Sequence, residues 1–130
     1  MTKWEKPNQP TKFYMLERVI SDRHPAAPLK RLLCKGVCPY VHVKTFTTLD
    51  EQQLPPRAKF HSSLNSETSS EDDYAYVQRV WREFGCRTLR EYMQLYLTTD
   101  VSLLADVFEN FCAICHMAYE LHPAYFVFAP

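Results

Sequence analysis

The C-terminal half of the chain carries the clearest pattern of apolar and polar positions. After Ser70, apolar residues recur every three or four positions, which is typical of an amphipathic helix. Ser70 can cap the first turn of this helix, and the three acids that follow it lie where the helix dipole favours negative charge. Gly85 lies at the position where a residue with left-handed backbone conformation often ends a helix. We therefore predict a helix between these two residues, with one apolar stripe made of Tyr74, Val77, Val80, Trp81 and Phe84.

A second, longer helix is predicted from Thr88 to about His122, where Pro123 stops it. Thr88 and Glu91 have the spacing of a capping box. Apolar residues keep the helical spacing through the weakly helical residues 98–99, and they comprise Leu89, Tyr92, Met93, Tyr96, Leu97, Val101, Leu104, Ala105, Phe108, Phe111, Cys112, Cys115, Ala118 and Tyr119. The chain offers few strands to cover these helices, so we expect exposed apolar surface.

The first 73 residues are less regular. Residues 1–28 contain four prolines and are interpreted as a loosely ordered leader with one short apolar element at residues 13–20. Residues 41–46 alternate like a half-buried strand, and the polar residues 62–73 predict a surface loop. The predicted fold class is mainly α, with at most one or two short strands.

Composition and charge exclude several classes of protein. The chain has 130 residues, enough for one domain, and its two glycines, Gly36 and Gly85, are too few for a P-loop or a dinucleotide-binding turn. No apolar run approaches the roughly 20 residues that span a bilayer, and no signal peptide is recognisable, so we expect a soluble intracellular protein without a membrane partner. The net charge is zero, but residues 1–60 carry +6 and residues 61–130 carry −6.

The five cysteines have two alternative interpretations besides reduced thiols. Cys112, Cys115 and His116 match the attachment pattern of c-type haem, but the two cysteines fall on the apolar stripe of the long helix, which favours buried thiols and no haem. Cys34 and Cys38 with the same pair could supply the four thiolates of a tetrahedral zinc site. A pair inside a helix is unfavourable for such a site, and the odd number of cysteines argues against a disulfide framework.

Tyr96 and Asp100 are the strongest candidates for chemistry. Because they are four residues apart, their side chains lie on one face of the long helix and can contact the same bound group. An acid at the edge of an apolar stripe is costly unless it is paired or bound to a metal, and the phenol could orient a water held by that metal. The alternative is a surface acid beside a partly buried tyrosine.

A longer stretch of the sequence around these two residues makes the hypothesis of a metal-dependent site more specific. DYAYVQRVWREFGCRTLREYMQLYLTTDVSLLADVFENF, residues 73–111, resembles the end of the 3′–5′ exonuclease domain of protein-primed family B DNA polymerases from Polinton or Maverick-type mobile elements and related viruses. The resemblance continues, in family order, through KGVCPY (35–40), LPP (54–56), FHSSL (60–64) and LHPAYFVFAP (121–130). It covers residues 29–130, whereas residues 1–28 match no family that we recognise.

The resemblance implies a role for each candidate residue. The third exonuclease motif of that family has the form Tyr-x3-Asp, which falls here on Tyr96 and Asp100. Asp100 would be one of the carboxylates that hold two Mg²⁺ or Mn²⁺ ions, and Tyr96 would help to position the attacking water. The intact relative is a nucleotidyltransferase of DNA replication that proofreads, and its partners are DNA, deoxynucleotides and a terminal-protein primer.

The chain also departs from the family pattern. The first exonuclease motif, Asp-x-Glu, and the second motif are not found before Asp100, and the paired aspartates of the polymerase palm are not found either. Cys38 stands where the family usually has an aromatic or other large apolar residue. We therefore expect the C-terminal helical fragment of an RNase H-like α/β exonuclease domain, inactive and without a firmly bound metal on its own. A helical protein-interaction module and a zinc-thiolate domain are the alternatives.

Overall fold

The protein is mainly helical, as predicted. The computed structural model describes residues 13–26, 28–33, 36–62 and 67–125. Three helices dominate: α1 (Tyr14–Arg23), α2 (Glu71–Glu83) and α3 (Leu89–Tyr119). Two two-residue strands, β1 (His61–Ser62) and β2 (Glu67–Thr68), form a small antiparallel hairpin. Short 3-10 helices lie at Leu29–Leu33, Phe46–Asp50, Arg57–Lys59 and Pro123–Tyr125.

Helix α2 begins and ends where the sequence predicts. The Ser70 hydroxyl accepts a hydrogen bond from the Asp73 N–H at 3.1 Å, and the Asp73 carboxylate accepts one from the Ser70 N–H at 3.4 Å. This reciprocal pair is a capping box, which satisfies two N–H groups that the helix itself leaves unpaired. Gly85 follows the helix with φ of 64°, in the left-handed region that glycine enters without strain.

Helix α3 is continuous through residues 98–99 for 31 residues, but both ends differ from the prediction. The Thr88 hydroxyl accepts from the Glu91 N–H at 3.3 Å, whereas the Glu91 carboxylate accepts from the Arg87 N–H at 2.8 Å rather than from Thr88. Only one half of the predicted capping box therefore forms. The helix stops at Tyr119 because Glu120 adopts a left-handed conformation with φ of 56°.

The predicted strand at residues 41–46 is wrong. The Pro39 carbonyl accepts hydrogen bonds from the N–H groups of His42 and Val43, so the chain turns at this point, and a 3-10 helix begins at Phe46. Alternation of apolar residues alone cannot specify a strand where the backbone has no neighbour with which to pair. The loop predicted at residues 62–73 also contains strand β2 and the start of α2, while residues 63–66 lie outside the described residues.

Helix α1 lies within the predicted leader, yet its inner face belongs to the core. Leu16 and Ile20 are fully buried, and the helix packs along α3. The N-cap residue, Phe13, has no side-chain oxygen that could accept a hydrogen bond from the first turn. The Asp106 carboxylate on α3 instead accepts from the N–H groups of Met15, at 2.8 Å, and Leu16, at 3.1 Å. Residues 1–12 of the leader lie outside the described residues.

One hydrophobic core joins the three helices to the irregular segments between them. The inner faces of α1 and α2 and the first two turns of α3 contribute most of it. Its buried members are Leu16, Ile20, Leu32, Phe60, Val77, Val80, Phe84, Leu89, Tyr92 and Leu95.

The C-terminal two thirds of α3 expose apolar residues and bury polar ones. Thr99, Ser102 and Asp106 are buried. Large apolar side chains on the opposite side are 43–69% exposed, and these comprise Leu97, Val101, Leu104, Val107, Phe108, Phe111 and Ile114. We call this set the apolar face of α3. The sequence-based expectation of exposed apolar surface is confirmed.

Helix α3 also bears on the expectation that no segment is long enough to cross a membrane. Among the described residues it is one helix with the length and composition of a membrane span, and 22% of its apolar window is buried. The sequence contains no uninterrupted apolar run of that length, because acids such as Asp106 and Glu109 interrupt it. The mean hydropathy of the helix is nevertheless high enough for a membrane span. A single such helix is weak evidence for a membrane.

Candidate functional site

Tyr96 and Asp100 lie one turn apart on α3 and line the same small cavity. The cavity has a volume of about 20 Å³, which is enough for one water molecule. The Tyr96 ring is half-buried, whereas Asp100 is exposed at the mouth. The structure therefore brings the two predicted site residues to one surface, with the carboxylate open to solvent.

The loop at residues 36–40 covers the Tyr96 ring from one side. A Cβ atom on Gly36 would lie only 2.7 and 2.8 Å from two carbons of that ring, which is closer than side chains pack. The loop can approach α3 at this point because residue 36 has no side chain. The glycine of the KGVCPY segment is thus explained by close packing against the candidate site.

Three further contacts hold this loop on α3. The Tyr92 hydroxyl donates to the Val37 carbonyl at 2.7 Å, and the Cys38 thiol contacts the Met93 sulfur at 3.1 Å. Cys38 is buried, so the thiol fills a position where a larger apolar residue is typical of the resembled family. These contacts lie one turn before Tyr96 on α3.

Tyr40 makes the third contact and reaches Tyr96 itself. The Tyr40 hydroxyl donates to the Tyr96 hydroxyl at 3.2 Å, and the two rings meet edge to face with centroids 6.2 Å apart. Because the Tyr96 oxygen accepts this hydrogen bond, its own proton can be donated elsewhere.

The surroundings of Tyr96 keep it protonated. Burial raises the pKa of the Tyr96 phenol most, and the negative charge of Asp100 raises it further. At neutral pH the side chain is therefore a hydrogen-bond donor rather than a base. Such a group can orient a water molecule or a phosphate oxygen beside the Asp100 carboxylate.

Thr99 adds a polar group to the inner wall of the cavity. Its side chain is 7% exposed, and its hydroxyl has no hydrogen-bond partner among the residues that the structure describes. A buried hydroxyl without a partner is costly, because it has lost its hydrogen bonds to water.

The cavity lacks the ligands of a two-metal centre. Asp100 is its one carboxylate among the described lining residues. In those parts of the chain, no group of three or more His, Cys, Asp or Glu side chains is placed to hold a metal ion. Two cations need several carboxylates, so the described residues alone do not fit them.

The predicted buried thiols of α3 are confirmed. Cys112 and Cys115 are both buried and free, and burial raises the pKa of the Cys112 thiol. Burial also raises the pKa of Cys38 to about 12. Cys34, which the zinc alternative requires, lies outside the described residues.

Asp106 and Tyr40 make important contacts that were not predicted from the sequence. Asp106 is the one acid in the apolar stretch from Val101 to Phe108, and this contrast with its neighbours was a usable signal. No comparable signal marks Tyr40, because its partner Tyr96 lies 56 residues away in the chain.

Comparison with known proteins leaves the family open: no protein-family model, no curated protein and no solved structure matches this chain.

Proposed function

We propose that this chain is the C-terminal helical part of the RNase H-like 3′–5′ exonuclease domain of a protein-primed family B DNA polymerase. The observation that carries the proposal is the shared cavity of Tyr96 and Asp100, in which the carboxylate is open to solvent beside a protonated phenol. This is the arrangement that a Tyr-x3-Asp nuclease motif needs, because both groups must act on one phosphodiester.

The chain would contribute a part of the nuclease site rather than the whole. Asp100 would be one ligand of the Mg²⁺ or Mn²⁺ ions, and the other carboxylates would come from segments that carry the first two motifs. Tyr96 would donate a hydrogen bond within the site. Without the other carboxylates the chain is expected neither to excise nor to extend DNA.

The apolar face of α3 supports this proposal. Seven large apolar side chains lie along one side of the helix and are 43–69% exposed. Burying such a row of apolar side chains against another layer is favourable. A helix that packs against further layers of an α/β domain would use this face.

A chimaera tests the proposal directly. Residues 29–125 would replace the corresponding segment of a protein-primed family B polymerase, and the assay would follow removal of a mispaired 3′ nucleotide in Mg²⁺. We expect the chimaera to be active and Asp100→Ala to reduce the excision rate by at least a hundredfold. Glu109→Ala, an exposed acid two to three turns along the same helix, is the matched control and should keep the rate. An active chimaera whose rate is unchanged by Asp100→Ala would overturn the assigned role.

A helical interaction module is the second candidate, and the same apolar face favours it. In that case Leu104→Asp combined with Phe111→Asp would abolish the stable complex between this chain and its protein partner, whereas Asp100→Ala would leave that complex intact. Size-exclusion chromatography with light scattering measures the complex. The two candidates separate because only the nuclease fragment depends on the Asp100 carboxylate.

A further inference from the structure

Tyr40 is a second phenol at the candidate site, and it reaches the cavity from outside. Among the described residues, those that line the cavity include Tyr96 and Asp100 but not Tyr40. The Tyr40 hydroxyl lies 3.2 Å from that of Tyr96, and the planes of the two rings meet at an angle of 79°. Any influence of Tyr40 on the cavity therefore passes through Tyr96.

The backbone on both sides of Tyr40 is held in place, although the side chain is 62% exposed. Pro39 is fully buried, and its ring restricts the backbone before Tyr40. The Pro39 carbonyl accepts hydrogen bonds from the N–H groups of His42 and Val43, at 3.0 and 3.3 Å. The Tyr40 N–H donates to the Cys38 carbonyl at 3.0 Å. A tyrosine side chain adds only two rotatable bonds, so its ring is presented to a neighbour at little cost in entropy.

The hydrogen bond between the two phenols restricts where the Tyr96 proton points. Each phenol carries one proton and can accept a hydrogen bond through its oxygen. Tyr40 donates its proton to the Tyr96 oxygen, so the Tyr96 proton is excluded from the line between the two oxygens. An acceptor for that proton is available in the cavity, because Tyr96 and the Asp100 carboxylate both line it.

The charge of Asp100 favours the same orientation of the Tyr96 hydroxyl. Asp100 lies close enough to the Tyr96 phenol for its negative charge to raise the pKa of that group. A negative charge attracts the positive end of the O–H dipole, which stabilises the proton on the cavity side. Tyr40 and Asp100 therefore act on Tyr96 in the same sense, the first by donating to its oxygen and the second by attracting its proton.

Packing does not require the Tyr40 hydroxyl. An exposed hydroxyl can form an equivalent hydrogen bond to water, so its bond to Tyr96 adds little to the stability of the fold. The edge-to-face contact with Tyr96 needs only an aromatic ring, which phenylalanine would also supply. The orientation of the Tyr96 proton is the property that depends on the hydroxyl.

We propose that Tyr40 is a positioning residue of the candidate nuclease site, and that its hydroxyl holds the Tyr96 hydroxyl with the proton directed into the cavity beside Asp100. Tyr40 does not touch the DNA in this role. It keeps Tyr96 from donating to bulk water, so that the donor is already in place when a water molecule or a phosphate oxygen enters the cavity. This role rests on the proposed function, because it belongs to the same nuclease reaction.

The test uses a chimaera in which the whole chain, with α1 kept in place, replaces the corresponding exonuclease segment of a protein-primed family B polymerase. Excision of a mispaired 3′ nucleotide in Mg²⁺ is measured over a range of DNA concentrations. Tyr40→Phe should lower kcat about tenfold and leave KM for DNA unchanged, since groups that orient the residues of a metal site typically contribute about 10- to 100-fold.

A double-mutant cycle shows whether Tyr40 acts through Tyr96. Tyr96→Phe alone should lower kcat at least as much as Tyr40→Phe does. Combined with Tyr96→Phe, Tyr40→Phe should have no further effect, because no proton is left to direct. Tyr74→Phe is the matched control. It removes a hydroxyl that donates to the Pro55 carbonyl at 3.0 Å, outside the cavity, and should keep kcat.

Several outcomes would overturn the role of Tyr40. An unchanged kcat of Tyr40→Phe in a chimaera that Asp100→Ala inactivates would refute it and leave the nuclease assignment intact. An equal loss with and without Tyr96→Phe, or a higher KM with unchanged kcat, would show that Tyr40 acts on the DNA directly. A urea midpoint of the full chain lowered by more than about 0.25 M in Tyr40→Phe would assign the residue to folding. A chimaera without activity, or one that Asp100→Ala does not affect, would remove the proposed function and the role of Tyr40 with it.

Discussion

Substitution of Asp106 by alanine is expected to destabilise the whole fold, although the residue does not line the cavity of the candidate site. Asp106 is 4% exposed, and its carboxylate accepts two backbone hydrogen bonds from the first turn of α1, at 2.8 and 3.1 Å. These bonds replace the local N-cap that Phe13 cannot provide. They also place a negative charge at the positive end of the α1 dipole.

The magnitude follows from the two hydrogen bonds. A hydrogen bond to a charged group contributes about 1.5–3 kcal/mol, and alanine leaves the Leu16 N–H buried without an acceptor. Removing the carboxylate also removes its own cost of burial, which offsets part of the loss. We expect a decrease of about 3 kcal/mol in the free energy of unfolding, a large share of the 5–15 kcal/mol typical of a domain.

Urea unfolding followed by circular dichroism at 222 nm measures this decrease. With a slope of about 2 kcal/mol per molar urea, the midpoint of Asp106→Ala should fall by about 1.5 M. Asp106→Asn keeps one acceptor oxygen and should lose about half as much. Glu109→Ala removes an exposed acid from the same helix and should change stability by less than about 0.5 kcal/mol. If Asp106→Ala stays within 0.5 kcal/mol of the unmodified chain, the tertiary cap does not stabilise α1 and the reasoning fails.

Three further predictions concern the candidate site and the start of α3. Gly36→Ala should lower the free energy of unfolding by about 1–3 kcal/mol and change the tyrosine signal in near-ultraviolet circular dichroism, because its Cβ would clash with the Tyr96 ring; an unchanged midpoint and spectrum would contradict the close packing. Thr99→Val should raise the free energy of unfolding by about 1 kcal/mol, since it removes a buried hydroxyl that has no partner among the described residues; a decrease would show that the hydroxyl is hydrogen-bonded in solution, and Thr99→Ser is the control that keeps it. The backbone N–H and the guanidinium of Arg87 lower the pKa of Glu91 below its ordinary value of 4.5. The Glu91 carboxylate therefore stabilises the fold at pH values above 4.5. This stabilisation is lost as the pH falls through the lower pKa of the folded state. Urea midpoints of the unmodified chain and Glu91→Gln should therefore differ at pH 7 and converge as the pH falls below 4.5, and a constant difference would refute the assignment.

The sequence by itself determined the parts of this protein that depend on neighbouring residues. Helix α2 follows from the Ser70 cap, the three- and four-residue spacing of its apolar positions and the left-handed Gly85, all of which act within about one turn. The same reasoning places Tyr96 and Asp100 on one face of α3, because helical geometry sets the angle between residues four apart. These features needed no knowledge of the rest of the chain.

Only the tertiary structure decided which surfaces of those helices became interior. The pattern of α3 could not reveal that Asp106 would be buried and Val101 exposed. Which side of α3 is buried depends on the packing of α1 against the polar side of that helix, where Asp106 caps α1 from 90 residues away in the sequence. The loop at residues 36–40 reaches Tyr96 in the same way, through contacts between segments more than 50 residues apart. Local patterns specify helices through short-range hydrogen bonds and spacing, whereas the partner of each helical face is set by packing between distant segments, which no local pattern contains.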